Sequence, residues 1–155
     1  MIQSDPGEVV AAFLISSVGL NIVRPTNTNS TNYPITVGAM PPLGDRWVSV
    51  KDLTPKTEGK YHGCTFDPDA VGETVTKPVL QIMVQGKTYD EASLQIRKMS
   101  CALSAVDHET VNTVTGESVL FHACCIELPP TFFMQEEKNR RQQFVMNVKI
   151  SISGG

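Results

Sequence analysis

The chain has 155 residues, 41% of them hydrophobic and 19% charged, and thirteen Lys and Arg against sixteen Asp and Glu leave a net charge of −3. That length suits one domain, 1–155, able to bury roughly 70% of its unfolded surface without disulfides or a structural metal. The acidic balance offers no surplus of positive charge for gripping a phosphate backbone, and the longest apolar run, residues 9–15, falls well short of the roughly 20 residues that a membrane span needs.

Ser4 or Asp5 can cap a first helix, with Pro6 at its first position and Glu8 in its first turn. Val9, Val10, Phe13 and Leu14 make its apolar stripe, and Gly19 is the expected stop after about four turns. Asp5 and Glu8 stand where a secretory signal would carry positive charge, which argues against one. Residues 25–32 are polar and of low complexity. Ile35 and Val37 predict a brief strand broken by Pro41-Pro42, and residues 47–52 alternate as a strand should. Residues 54–76 carry Gly59, Gly63, Pro68 and Gly72 with little periodicity, the pattern of a functional loop or of a segment ordered by a partner.

The second half is more regular. Leu80, Ile82 and Val84 alternate with polar neighbours up to Gly86. Thr88 and Glu91 then form a capping box, in which hydroxyl and carboxylate satisfy exposed backbone N–H groups reciprocally. Tyr89, Ala92, Ile96, Met99, Leu103 and Val106 predict one apolar face on the helix behind it. Strands over 110–114 and 118–128 flank a three-residue turn with Gly116, and Pro129-Pro130 is expected to break the ladder before residues 131–134 resume it. A polar turn over 135–141 leads into a last strand, 142–153. There Phe144, Met146, Val148, Ile150 and Ile152 should face a core and the other side mostly water. The fold class is α+β: a single, mainly antiparallel sheet covered by two helices, with long irregular loops.

Chemistry-bearing patterns are sparse. Cys64, Cys101, Cys124 and Cys125 have neither disulfide-framework nor CxxC spacing, and read as reduced thiols of a protein made in a cytoplasm. His62 and Cys64 near Asp67 and Asp69 match no metal-ligand spacing. Cys124 beside His122 reads as a small apolar residue next to a half-buried imidazole. Gly-rich phosphate loops are absent. The reading is a non-enzymatic chain with no catalytic residue, metal or cofactor.

Residues 78–92, Pro-Val-Leu-Gln-Ile-Met-Val-Gln-Gly-Lys-Thr-Tyr-Asp-Glu-Ala, resemble the small tail terminator (minor capsid, tail-completion) proteins of long-tailed bacteriophages. The likeness continues through the helix to Leu103, a hairpin, a strand over 120–128 with a Pro129-Pro130 exit, the polar turn and the final alternating strand. It covers about 47–153. This chain departs from that pattern at Gln85, where Arg is common, and in longer loops at 27–32 and 54–77. The resemblance implies a homo-oligomeric ring, a hexamer in that family, in the virion at the head-proximal end of the tail and assembled in the host cytoplasm. Its partners would be further copies of itself, the tail tube protein and the head–tail connector or stopper. DNA would pass through its lumen without being read, and no membrane is involved. The runner-up roles are a neighbouring joining ring, a tail tube subunit, or a ligand-binding domain or enzyme with an unrecognised site. A tube subunit needs a long hairpin, for which residues 110–128 look modest.

Two loops joining strong strands are the candidate contact sites. One is the hairpin tip with Asn112, Thr113, Thr115, Gly116 and Glu117. The other is the turn with Glu136, Glu137, Lys138, Arg140 and Arg141, which holds the densest positive cluster of the chain.

Overall fold

A computed structural model describes residues 5–25, 31–38, 44–53, 56–57, 60–61, 75–138 and 140–154. In chain order the elements are α1 (Pro6–Ser16), β1 (Ile22–Val23), β2 (Tyr33–Val37), β3 (Trp47–Asp52), β4 (Lys56–Thr57), β5 (Lys60–Tyr61), β6 (Val79–Gly86), α2 (Tyr89–Ser104), β7 (Glu109–Asn112), β8 (Ser118–Gln135) and β9 (Gln142–Gly154). Seven strands form one sheet in the order β1-β2-β3-β6-β9-β8-β7, and β4 and β5 pair separately. β1–β2 and β2–β3 are parallel, and every other neighbouring pair of the large sheet is antiparallel. This is the α+β architecture the pattern predicts. Ser4, Pro41-Pro42, most of the polar tract at 25–32, most of the 54–76 stretch, and His62, Cys64, Asp67 and Asp69 lie outside the described residues.

The core is one layer between the sheet and both helices. Phe144, Met146, Val148, Ile150 and Ile152 of β9 are all buried, as alternation requires, and share a cluster with Leu80, Ile82 and Val84 of β6 and with Ile96, Met99 and Leu103 of α2. α1 adds Val9, Val10, Phe13 and Leu14, with Phe13 edge-on to Phe121 at 5.4 Å between ring centres. The opposite face of β9 is drier than expected. Val145 and Ser153 are buried there, while Gln143, Asn147, Lys149 and Ser151 are half-buried. Polar neighbours account for part of that cover, since Gln143 donates to Gln85 and Gln85 donates to the Gly44 carbonyl.

Asp5 caps α1, accepting from Gly7 N at 2.7 Å. The helix ends three residues before Gly19, because the Ser16 and Ser17 hydroxyls both donate to the Phe13 carbonyl at 2.8 Å. Side chains that bond a carbonyl in this way compete with continued helix. α2 starts as its sequence dictates, with Glu91 N donating to Thr88 Oγ1. The reciprocal half of the box is displaced by one residue: the Glu91 carboxylate accepts from Lys87 N rather than from Thr88 N. Its other oxygen pairs with Arg46, so this carboxylate ties the entry of β3 to the start of α2. Along the apolar face Ala92, Ile96, Met99 and Leu103 are fully buried, but Tyr89 is 51% exposed and Val106 lies past the helix end.

β8 differs most from its sequence reading. Pro129-Pro130 does not end the strand. It runs unbroken for 18 residues, with register shifts at 121/123, 126/128, 128/131 and 132/134. A bulge places an extra residue opposite the partner strand, so prolines without N–H groups can sit at a point where the ladder already skips.

Candidate interaction surface

β7 pairs with β8 only from Ser118 to Phe121. His108 N adds one more bond, to the His122 carbonyl; beyond it the strand ladder of β8 is with β9 alone among the described residues. The freed stretch is where the exposed large apolar side chains gather: Leu128 is 37% exposed, Phe132 43%, Phe133 55% and Met134 43%. Phe132 also belongs to a ring triangle with Tyr89 and Phe144, with centre-to-centre distances of 5.0–5.5 Å. That triangle stiffens the far end of the β8–β9 hairpin against the start of α2, in geometries worth roughly 0.5–1.5 kcal/mol per pair beyond burial. The result is a rigid apolar surface facing water, of the kind that marks an interaction site.

The two loops singled out from sequence lie at opposite ends of this strand. Asn112 pairs with Ser118 at one end, and Gln135 with Gln142 at the other. In the hairpin tip Thr113 is buried. Its N–H and hydroxyl both donate to the Glu117 carbonyl, and its own carbonyl accepts from Gly116 N. Gly116 takes φ +86°, a conformation that side chains resist. Thr113 therefore holds the turn from inside, and the outward surface is Asn112, Val114, Thr115 and Gly116, with Glu117 half-buried.

In the other turn Arg141 is spent within the subunit. Its side chain is 14% exposed and pairs with Asp45 at 3.4 Å and with Glu136 at 3.7 Å. Glu137, Lys138 and Arg140 are exposed, and Arg140 takes φ +54° at the corner of the turn. Nearby, Arg46 pairs with Glu91, and both charges lie close enough to act on the buried Tyr33. Burial pushes the Tyr33 hydroxyl up to about 12; the Glu91 charge adds to this and Arg46 opposes it.

His108 and His122 form a polar chain beside the start of β7. His122 Nε2 lies 2.7 Å from Ser153 Oγ, the His108 and His122 rings meet edge-on at 5.2 Å, and His108 Nδ1 lies 2.6 Å from Asp107. Ser153 is 1% exposed, so no substrate reaches its hydroxyl. Cys124 lies against the core, and burial followed by the charge of Cys125 pushes its thiol up to about 12. It is no activated nucleophile, since reactive thiols have lowered values. Cys101, Cys124 and Cys125 are free thiols. No metal-binding cluster and no helix long and apolar enough to cross a membrane occurs among the described residues.

The sequence reading missed the exposed apolar end of β8. Its signal is the run Phe132-Phe133-Met134: in a strand, three consecutive large apolar residues cannot all face one core.

No protein-family model and no curated protein sequence matches the chain significantly. Among solved structures it is similar to a chain of the virion of a native gene transfer agent particle. That likeness has 14% identity and a TM-score of 0.48 over 94% of this chain and 92% of the other. A second solved structure is similar at 11% identity and a TM-score of 0.37 over 79% of each chain.

Proposed function

We propose that this chain is a structural virion protein of a phage-like particle, a homo-oligomeric ring subunit that acts as a tail terminator. The observation that carries the reading is the outer edge of β8 past its pairing with β7: a long stretch laddered to β9 alone and rich in exposed apolar side chains. Such an edge is an aggregation hazard in an isolated chain, and association into a closed ring covers it. The sequence resemblance supplies the identity of the ring. It caps the head-proximal end of the tail tube, halts polymerisation there and offers a surface to the connector or stopper, in a hexamer assembled in the host cytoplasm. DNA passes through the lumen unread, and the net charge of −3 suits a passage that must not hold phosphates.

Deletion of the gene, followed by electron microscopy of the particles, tests this. The expected result is tails of uncontrolled length and heads without tails, restored by the wild-type gene. Tails of defined length attached to heads in the deletion strain would overturn the terminator role.

One observation favours a second reading, a tail tube subunit. The β8–β9 hairpin, with arms of 18 and 13 residues, is the long hairpin that the sequence reading did not find. A tube subunit polymerises into open-ended tubes when purified and concentrated, whereas a terminator stops at a single ring.

A further inference from the structure

We propose that residues 127–135 of β8 form a strap that lifts off β9 as a unit while the rest of the sheet stays closed, with Phe132 as its latch. The device belongs to the single subunit and does not depend on the ring.

β8 is held in two different ways along its length. From Val119 to Ile126 it carries one register shift against β9, and Ala123 to Ile126 pair with four consecutive β9 residues. Val119 and Phe121 are fully buried there, and Cys124 and Ile126 pack on the core. From Ile126 to Gln135 come the other three shifts, and no run of unshifted pairs exceeds two. None of residues 127–135 is buried, and Pro129 and Pro130 bring no N–H to the ladder. Stretches with few buried contacts and a weakly held backbone open first in a folded protein.

β9 keeps its place under the strap. It pairs with β6 without a shift from Gln142 to Lys149, so the movable partner is β8. Both ends of the strap are fixed. Ile126 is held by the unshifted pairs. The turn beyond Gln135 is held by Arg141, which pairs with Asp45 and whose carbonyl accepts from Glu136 N at 2.9 Å. Between those ends the apolar anchor is Phe132, packed on Tyr89 and Phe144. Seated, the strap is stiff because rings grip that residue on two sides. Unlatched, it uncovers the edge of β9 from Gln142 to Asn147, a strand template that the closed subunit hides.

Amide hydrogen exchange of the full-length protein, read residue by residue by NMR, tests this. Ile150 and Ile152 donate to the carbonyls of Pro78 and Thr76, just before β6. Strand alternation then turns the N–H groups of Phe144, Met146 and Val148 toward β6, and those of Gln143, Val145 and Asn147 toward the strap. Lys149 and Ser151 face the well-held part of β8. In the wild type the strap-facing set should exchange at least about tenfold faster than the β6-facing set and than Lys149 and Ser151. Phe132→Ala should speed the strap-facing set by about a further tenfold and leave the other amides unchanged. Phe133→Ala, beside it but outside the ring triangle, should change none of them. One common rate along β9 in the wild type overturns the strap, whether or not Phe132→Ala folds. An effect of Phe132→Ala that spreads equally to Lys149 and Ser151 marks a loss of global stability and overturns the latch. A fast strap-facing set that Phe132→Ala leaves unmoved, or that Phe133→Ala speeds equally, means an interrupted ladder without a latch and overturns it too.

Discussion

The proximal and distal halves of β9 share one sheet but differ in what covers them. From Met146 to Ile152 the core-facing side chains lie under both helices and are at most 1% exposed. Toward Gln142 the strand leaves the helical cover, and its partner β8 presents Phe132, Phe133 and Met134 to water. The same alternating pattern thus serves two purposes. Where helices are overhead it makes a core; beyond them it makes a surface. An apolar position in a strand is evidence of burial only when something stands over that face.

That contrast is broken most sharply at its centre. Ile150→Ala opens a cavity in a fully buried site and should lower stability by about 2–5 kcal/mol, read as a drop in urea midpoint at unchanged slope. Next in size is Gly86→Ala, where β6 pairs with the Gln142 end of β9. A methyl there would stand 2.8 Å from Ala92 Cβ and 2.9 Å from Ala92 N, so the start of α2 must move away. The expected loss is about 1–3 kcal/mol, the usual cost of overpacking, and a substitution without effect would mean that α2 is not seated on β6. Thr88→Ala removes the hydroxyl that accepts from Glu91 N and should cost about 1 kcal/mol. It should also raise amide exchange in the first turn of α2 ahead of the rest of the helix.

The well-covered half was legible in the sequence because its signals are local. Strand alternation from Leu80 to Val84 and from Phe144 to Ile152, and the capping pattern of Thr88 and Glu91, are fixed by neighbours within a few residues. What the sequence did not show depends on contacts distant in the chain. Tyr89 sits at a core-facing helical position, yet it lies beyond the covered half and packs on Phe132 and Phe144 instead. Pro129-Pro130 breaks a regular ladder, but the paired register with β9 absorbs it as a bulge. The parallel pairing of β1 with β2 and of β2 with β3 leaves no mark in any single strand. Of the two candidate loops, the positions were legible but the internal duties were not. Arg141 and Asp45 lie far apart in sequence and meet only in the fold, and the burial of Thr113 depends on the turn closing over it.

The smallest expected effect on stability, that of Phe133→Ser, sharpens the comparison most when set beside Phe132→Ser. Phe132 and Phe133 are adjacent, identical in chemistry and similarly exposed, but only Phe132 belongs to the ring triangle with Tyr89 and Phe144. Phe132→Ser should therefore cost the isolated subunit about 0.5–1.5 kcal/mol per lost ring contact. Phe133→Ser removes a side chain that already faces water over 55% of its surface, so the melt should move by less than about 0.5 kcal/mol. If the distal half is a surface made to be covered, both substitutions should weaken association between copies, and Phe133→Ser should do so with the folded subunit intact. Sedimentation velocity across a concentration series separates the two quantities. Unchanged association with an unchanged melt would make Phe133 an ordinary surface residue, and the distal half of the hairpin would then be exposed without being an interface.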